Sequence, residues 1–293
     1  MRRLLPVPEG PADGGPETES DIDLEEAYAY PAHIVAAGRP WLRANMVTSL
    51  DGAAQAGDGL SAGLSSPADK RIFGVLRGLA DVVIVGASTV RAEGYRPPQP
   101  KPAYAPARVA AGRNPVPVIA IVSRSLALDL TAPLFTEAVV PTVVLTGPDA
   151  DPERLAAARK AADVIIAGAP GTSGVDPGAA VDALAARGWT RMLTEGGPHL
   201  LGQLLESGRL DELCLALSPQ LAGGTATRMT VASPAVPAAG GGTPAGTPAG
   251  APVGTPTVSP IGSDGKLPQS MELHTLLEED GFLFARYVRN INS

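Results

Sequence analysis

The chain has 293 residues, 44% of them hydrophobic, and a formal net charge of −7 from 23 basic and 30 acidic side chains. That length suits one large α/β domain with irregular extensions, and no apolar run reaches the roughly 18 residues that suggest a membrane helix. Basic residues nowhere form a block, so no nucleic-acid footprint is visible, and Cys214 is the only cysteine, which excludes an internal disulfide and a cysteine-rich metal site.

Residues 1–38 read as a loosely structured N-terminal extension rich in Pro, Gly and acid, with one or two helical turns available to DLEEAYAY at 23–30. The opening MRRLLPVPEG lacks an apolar segment behind its arginines, and the acidic stretch at 17–26 opposes a signal peptide, so a cytoplasmic protein is expected. A single domain then occupies 39–293. Its first strand candidate, 41–47, runs into TSLDG at 48–52. Ser66-Pro67 supplies an N-cap with proline at N1, and Ile72, Val75, Leu76 and Leu79 follow at helical spacing. The β-branched run DVVIVG at 81–86 suits a strand buried on both faces of a parallel sheet.

The alternation then repeats. Strands are expected at 116–122, 141–145, 163–167, 189–194 and 211–218, with helices at 151–162, 176–187 and 198–207 between them. Cys214 falls within the last of these strands and reads as a small core residue. Two stretches break the pattern. Residues 96–117 hold seven prolines and read as an irregular surface loop. Residues 233–260 are low in complexity, with GTPA twice in succession, and are expected to be a disordered insertion. Beyond it, 271–277 and 282–288 flank Glu279-Asp280-Gly281, a hairpin signal that brings the C-terminus back to the sheet as an antiparallel pair.

Three strand ends carry candidate chemistry. After Val85, the segment Gly86-Ala87-Ser88-Thr89-Val90 would let backbone amides approach a ligand at the carboxyl edge of the sheet. Glu195-Gly196-Gly197-Pro198 leads into a helix whose first-turn amides favour phosphate; the carboxylate beside them would face a neutral donor such as a heterocycle amide. Asp51, in TSLDG, is a carboxylate that could hydrogen-bond an amino-heterocycle, although Asp-Gly is also a common turn. His33, His199 and His274 stand alone, and no zinc-deaminase signature, nucleophile elbow or phosphate-binding P-loop is present.

Taken in order, NMVTSLDGA, LSSPADKRIFGVLRGLADVVIVGASTVRAEGY and LTEGGPHLLGQLLESGRLDELCLALSPQLAGG resemble the bacterial pyrimidine reductases. These form the C-terminal domain of the bifunctional riboflavin-pathway deaminase–reductase and also occur alone. The likeness covers about 40–290 outside the two irregular stretches and is greatest to actinobacterial stand-alone members.

The resemblance implies a dihydrofolate-reductase-like α/β fold, with a mostly parallel central sheet flanked by helices and an antiparallel C-terminal hairpin. It also implies hydride transfer from NADPH to a ribosylamino-pyrimidinone phosphate, opening ribosyl to ribityl, in a homodimer without a metal. On matched positions Asp51 and Glu195 are the implied catalytic pair. Asn45, Thr48, Ser65, Lys70 and Arg96 would bind substrate. Gly86, Ala87, Ser88, Thr89, Val90, Ser123, Arg124, Gly196, Gly197 and Pro198 would bind cofactor, with Ser123-Arg124 as the pocket for the 2′-phosphate. Segment 91–96 departs from the family: Glu93 stands for an aspartate, and the downstream arginine has no clear match. A pteridine or dihydrofolate-like substrate is therefore an alternative, as is a nucleotide-binding sensor or scaffold with little catalysis.

Overall fold

The computed structural model describes residues 1–5, 22–231 and 269–290. In chain order the elements are β1 (Arg2–Leu5), α1 (Leu24–Ala27), α2 (Ala32–Ala36), β2 (Trp41–Thr48), α3 (Pro67–Leu79), β3 (Val82–Gly86), α4 (Ala87–Ala92), α5 (Ala105–Ala110) and β4 (Val118–Val122). They continue as α6 (Pro133–Thr136), β5 (Val143–Thr146), α7 (Pro152–Ala161), β6 (Asp163–Ile166), α8 (Pro177–Ala185), β7 (Arg191–Thr194), α9 (Pro198–Glu206), β8 (Glu212–Leu217), β9 (Met271–Glu279) and β10 (Phe282–Arg289).

All the strands join one sheet in the order β1-β9-β10-β8-β2-β7-β3-β4-β5-β6. From β8 to β6 every pairing is parallel, and β10, β9 and β1 add antiparallel strands at the other side. This is the expected mostly parallel sheet with an antiparallel hairpin. The hairpin turn is Asp280-Gly281, both at positive φ (52° and 80°), the geometry that lets a two-residue turn follow the strand twist.

Alternate residues of the central strands feed two cores, one on each face. Val83 and Val85 of β3 pack with Ile72, Val75 and Leu76 of α3. Val82 and Ile84 pack with Val181 and Leu184 of α8 and with Leu200 and Leu204 of α9. Burial of each such aliphatic stabilises the fold by about 1.5–3 kcal/mol. The two-sided cover explains why β3 reads as an unbroken apolar run rather than an alternating one. Cys214 is buried in the first of these cores, as read.

Three expectations change. The N-terminal extension is not loose throughout: Arg2–Leu5 pairs with β9, and Tyr28, Tyr30 and Ile34 are buried. These side chains are the apolar payload that a composition dominated by Pro, Gly and acid concealed. Nor is 96–117 wholly irregular, because it contains α5. From there the buried Arg108 donates to the carbonyls of Gly78 and Ala80, which close α3, and to that of Asn114. The expected strand boundaries also move inward: 141–142 and 189–190 precede their strands, and Pro117 lies outside β4, since proline has no N–H for the ladder. The insertion expected at 233–260 lies outside the described residues.

Candidate active site

The carboxyl ends of β2, β3 and β7 open into a cleft of about 830 Å3. Its floor is built where two strand ends meet. β3 runs directly from Gly86 into α4, and the Gly86 amide donates to the Gly196 carbonyl (3.0 Å). The Gly197 amide donates to Thr89 Oγ1 (2.9 Å). The second segment needs glycine for two different reasons, backbone conformation at Gly196 and space at Gly197. Gly196 has φ +79° against Met46, and a Cβ on Gly197 would sit 2.7 Å from Thr89 Oγ1. A cis peptide joins the two. Gly197 is the N-cap of α9 and Pro198 its first residue, so the early amides of that helix face outward as donors.

One wall is α3. Ser66 caps it by accepting from the Asp69 amide (3.1 Å). Ile72, Val75 and Leu76 turn inward to the sheet. Two neighbouring i, i+4 rows then face the cleft: Asp69, Phe73 and Arg77, and beside them Lys70, Gly74 and Gly78. Segment 93–101 also lines the cleft, with Tyr95 under the Arg77 guanidinium and Lys101 Nζ close to Gly74 of α3.

Glu195 has a defined partnership. Arg77 Nε and Nη2 donate to its two oxygens at 2.6 and 2.7 Å, and the Tyr95 hydroxyl donates to Oε2 at 2.5 Å. The guanidinium also lies over the rings of Phe73 (4.4 Å) and Tyr95 (5.3 Å). Burial disfavours the charge on Arg77, but Glu195 outweighs it and the arginine is held firmly protonated. Burial first, and the Glu195 charge second, push the Tyr95 phenol well above its ordinary value. Glu195 is thus held by Arg77 and Tyr95 rather than free to meet a neutral donor on all sides, because α3 and the 93–96 loop fill positions that the sequence reading left open.

Of the residues expected at the site, the cleft brings together Asn45, Ser65, Lys70, Ser88, Thr89, Arg96, Glu195, Gly197 and Pro198. Gly86, Ala87, Val90 and Gly196 stand behind this lining: Gly86 and Gly196 bond to each other, and Ala87 and Val90 pack into the core. Thr48 is buried, and its carbonyl accepts from the Ser218 amide.

Asp51 is placed elsewhere. It is exposed and lies outside the lining, and its carboxylate accepts from the Ala222 amide (3.1 Å), the Gly223 amide (2.7 Å) and the Ser49 hydroxyl. The Ser49 hydroxyl, ahead of the two amides, lowers its pKa to about 2. A strand-end Asp-Gly turn serves here to pin the following loop, from which Thr227 reaches the cleft. Ser123 and Arg124 also fall outside the lining. Ser123 is buried and accepts from the Leu126 amide (3.1 Å). Arg124 follows the end of β4, next to β3, and has no hydrogen bond or ion pair among the described residues.

Sequence reasoning missed Arg77, Tyr95, Phe73, Asp69 and Lys101 in this cleft. The i, i+4 stripe of Asp69, Phe73 and Arg77 beside the apolar stripe of α3 was the available signal. Tyr95 and Lys101 gave none, since they lie in irregular chain. Among the described residues no group of three or more His, Cys, Asp and Glu could hold a metal.

Residues 40–239 match the family described as the RibD C-terminal domain. The chain is 32% identical over 195 residues to the 2,5-diamino-6-ribosylamino-4(3H)-pyrimidinone 5′-phosphate reductase of Methanothermobacter thermautotrophicus, covering 66% of this chain and 84% of that protein. It is 27% identical over 186 residues to the reductase of the same name from Archaeoglobus fulgidus, covering 64% and 83%. A pyrimidine reductase-like protein from Corynebacterium diphtheriae superposes with a TM-score of 0.70 at 25% identity, covering 92% of this chain and 100% of that one. Acinetobacter baumannii RibD shares the fold at a TM-score of 0.58 and 19% identity, over 88% of this chain and 60% of its own.

Proposed function

Since the chain belongs to the RibD C-terminal domain family, and is an oxidoreductase of the pyrimidine reductase type, we propose that it reduces a ribosylamino-pyrimidinone 5′-phosphate to its ribityl form with NADPH. One observation carries this reading: the two glycine segments, 86–89 and 195–198, are knitted together at the floor of a cleft large enough for two ring systems. Lys70, Arg96 and Lys101 line the same cleft. In a protein of net charge −7, that local cationic lining favours phosphorylated ligands.

The side-chain-free surface at Gly197 and the α9 amides fit a pyrophosphate, and Arg124, without a hydrogen bond or ion pair among the described residues at the next strand end, is suited to a 2′-phosphate. NADPH, when bound, supplies the hydride. The chain's part is to hold the two rings in register and keep water out. Asn45 and the Arg77-fixed Glu195 bind the pyrimidine side, while Lys70 and Arg96 hold the substrate phosphate. A cytoplasmic homodimer completes the proposal. Among the described residues no helix is long and apolar enough to cross a membrane. Because β1 covers the outer edge of β9, subunit contact would not use that edge, and sedimentation tests the dimer.

The decisive experiment is NADPH oxidation with the diamino-pyrimidinone ribosyl phosphate, the corresponding amino-uracil ribosyl phosphate and dihydrofolate offered in parallel. Turnover of either ribosyl phosphate with a ribityl product supports the reading. Turnover of dihydrofolate alone moves the assignment to pteridines, and cofactor binding without turnover moves it to a sensor.

A further inference from the structure

Three carboxyl groups line the cleft, and two are already committed. Glu195 is paired with Arg77 and Tyr95, and Glu93 Oε1 accepts from the Ser61 amide (3.0 Å), tying the 57–65 loop to the end of α4. The third is Asp69. It is only 8% exposed, has no cation within ion-pair distance among the described residues, and accepts a single side-chain hydrogen bond, from Ser65 Oγ at 2.6 Å. A buried carboxyl that opens on a ligand cleft without a cationic partner favours its neutral, proton-bearing form.

We propose that Asp69 is the general acid of the reduction, with Ser65 positioning it. The proposal rests on the pyrimidine-reductase reading above. Conversion of ribosyl to ribityl forms a new C–H bond at the ribose C1′ from the hydride and breaks the bond from C1′ to the ring oxygen. The electron pair of that bond stays on the oxygen, which must take up a proton as the nicotinamide is oxidised. Asp69 gives that proton, becomes a carboxylate and regains a proton from water. Lys70, one residue on, faces the same space, as do Arg96 and Glu93, Lys101 beside Gly74 of α3, and the Arg77–Glu195 pair farther along α3. Of these, Lys70 is the charge that bears on Asp69. Burial raises the Asp69 pKa above its ordinary value, and the Ser65 hydroxyl and the Lys70 charge offset part of that rise.

The sign follows. A general acid must hold its proton, so kcat/KM falls as pH rises through the Asp69 pKa. Three measurements test this: carboxyl 13C NMR titration of aspartate-labelled protein, with Asp69→Asn assigning the resonance; pH profiles of wild type, Asp69→Asn and Ser65→Ala; and melting of each. We expect Asp69 to titrate above the ordinary aspartate value, and Asp69→Asn to lose on the order of 100-fold in kcat with KM and melting nearly unchanged. Ser65→Ala, which removes a donor to the carboxylate, should move the alkaline limb to higher pH. Asp69 titrating at the ordinary value of about 3.9, or Asp69→Asn keeping kcat within about threefold of wild type, overturns the proposal. Absence of wild-type turnover on both ribosyl phosphates refutes the substrate reading itself and is distinct from those results.

Discussion

Arg77 grips Glu195 through two parallel hydrogen bonds of 2.6 and 2.7 Å, joining the last turn of the first long helix to the strand end that begins the glycine floor. The pair is unequally buried, with side-chain exposures of 25% and 3%, so removing one member strands the other in a poorly solvated position. Arg77→Leu should cost about 2–4 kcal/mol of stability, below the roughly 3–5 expected for a fully buried pair. Glu195→Gln should both lower kcat/KM and reduce the melting temperature. Denaturant melts beside steady-state kinetics check this, and an Arg77→Leu protein as stable as wild type would remove the pair from the account.

Tyr95 joins the same carboxylate and stacks on the same guanidinium, so two variants separate its tasks. Tyr95→Phe keeps the ring and loses the hydroxyl, and should lower kcat several-fold with little change in melting. Tyr95→Ala loses both and should also destabilise. A Tyr95→Phe protein with wild-type kcat would mean that the hydroxyl is not used, and equal melting of the two variants would mean that the ring is not.

How much of this was legible in the sequence depends on whether the information is local. Strand β3 announced itself because two-sided burial leaves a continuous apolar run, and the C-terminal hairpin because Asp280-Gly281 must adopt positive φ. The glycine floor was legible for a similar reason, as Gly196 adopts positive φ and a side chain on Gly197 would meet Thr89. The partners of Glu195 were not. Arg77 lies 118 positions away and Tyr95 100, and long-range pairing of this kind leaves no periodic trace. The partners of Asp51 were not legible either, because a strand-end carboxylate looks the same in sequence whether it meets a ligand or the backbone of a loop 171 positions on.

That loop makes a prediction for Asp51. Its carboxylate is exposed and depressed to about 2 by the Ser49 hydroxyl and the Gly223 and Ala222 amides. A carboxyl with a lowered folded-state pKa contributes stability that is present above its unfolded value, about 3.9, and is lost as pH falls through about 2. Asp51→Asn should flatten the melting-temperature profile between those limits. At neutral pH it should raise KM more than it lowers kcat, because the loop that places Thr227 at the cleft loosens. A large loss of kcat with unchanged KM would return Asp51 to the chemistry.

Glu212 should be the most costly carboxylate to alter. It is fully buried at the start of β8 and accepts from Trp41 Nε1 (2.7 Å) and from Arg43 and Arg286. Burial opposes its charge, but the two arginines outweigh this and hold its pKa low. Arg286 also reaches the carbonyls of Ala27 and Ala29, binding the N-terminal segment to the hairpin. Glu212→Gln leaves two buried cations short of a counter-charge and should cost about 3–5 kcal/mol. An unchanged denaturation midpoint would show the network to be energetically idle.

Cofactor choice tests the remaining anion site. Arg124 follows β4 at the carboxyl edge, one strand over from Gly86, and makes no ion pair among the described residues. The nearby Asp149 is hydrogen-bonded by Ser173 (2.7 Å) and the Gly174 amide (2.8 Å), and Arg124 acts on it only through its charge, without an ion-pair contact. A charge-assisted contact to a 2′-phosphate is worth about 1.5–3 kcal/mol. Arg124→Ala should therefore weaken NADPH binding roughly 10- to 150-fold while leaving NADH, which lacks that phosphate, nearly unaffected. Calorimetry with both cofactors on both proteins reads the difference directly. If wild type binds NADPH and NADH equally, or if the variant loses both alike, then Arg124 supports the strand end rather than the phosphate, and selectivity must come from another group at that edge.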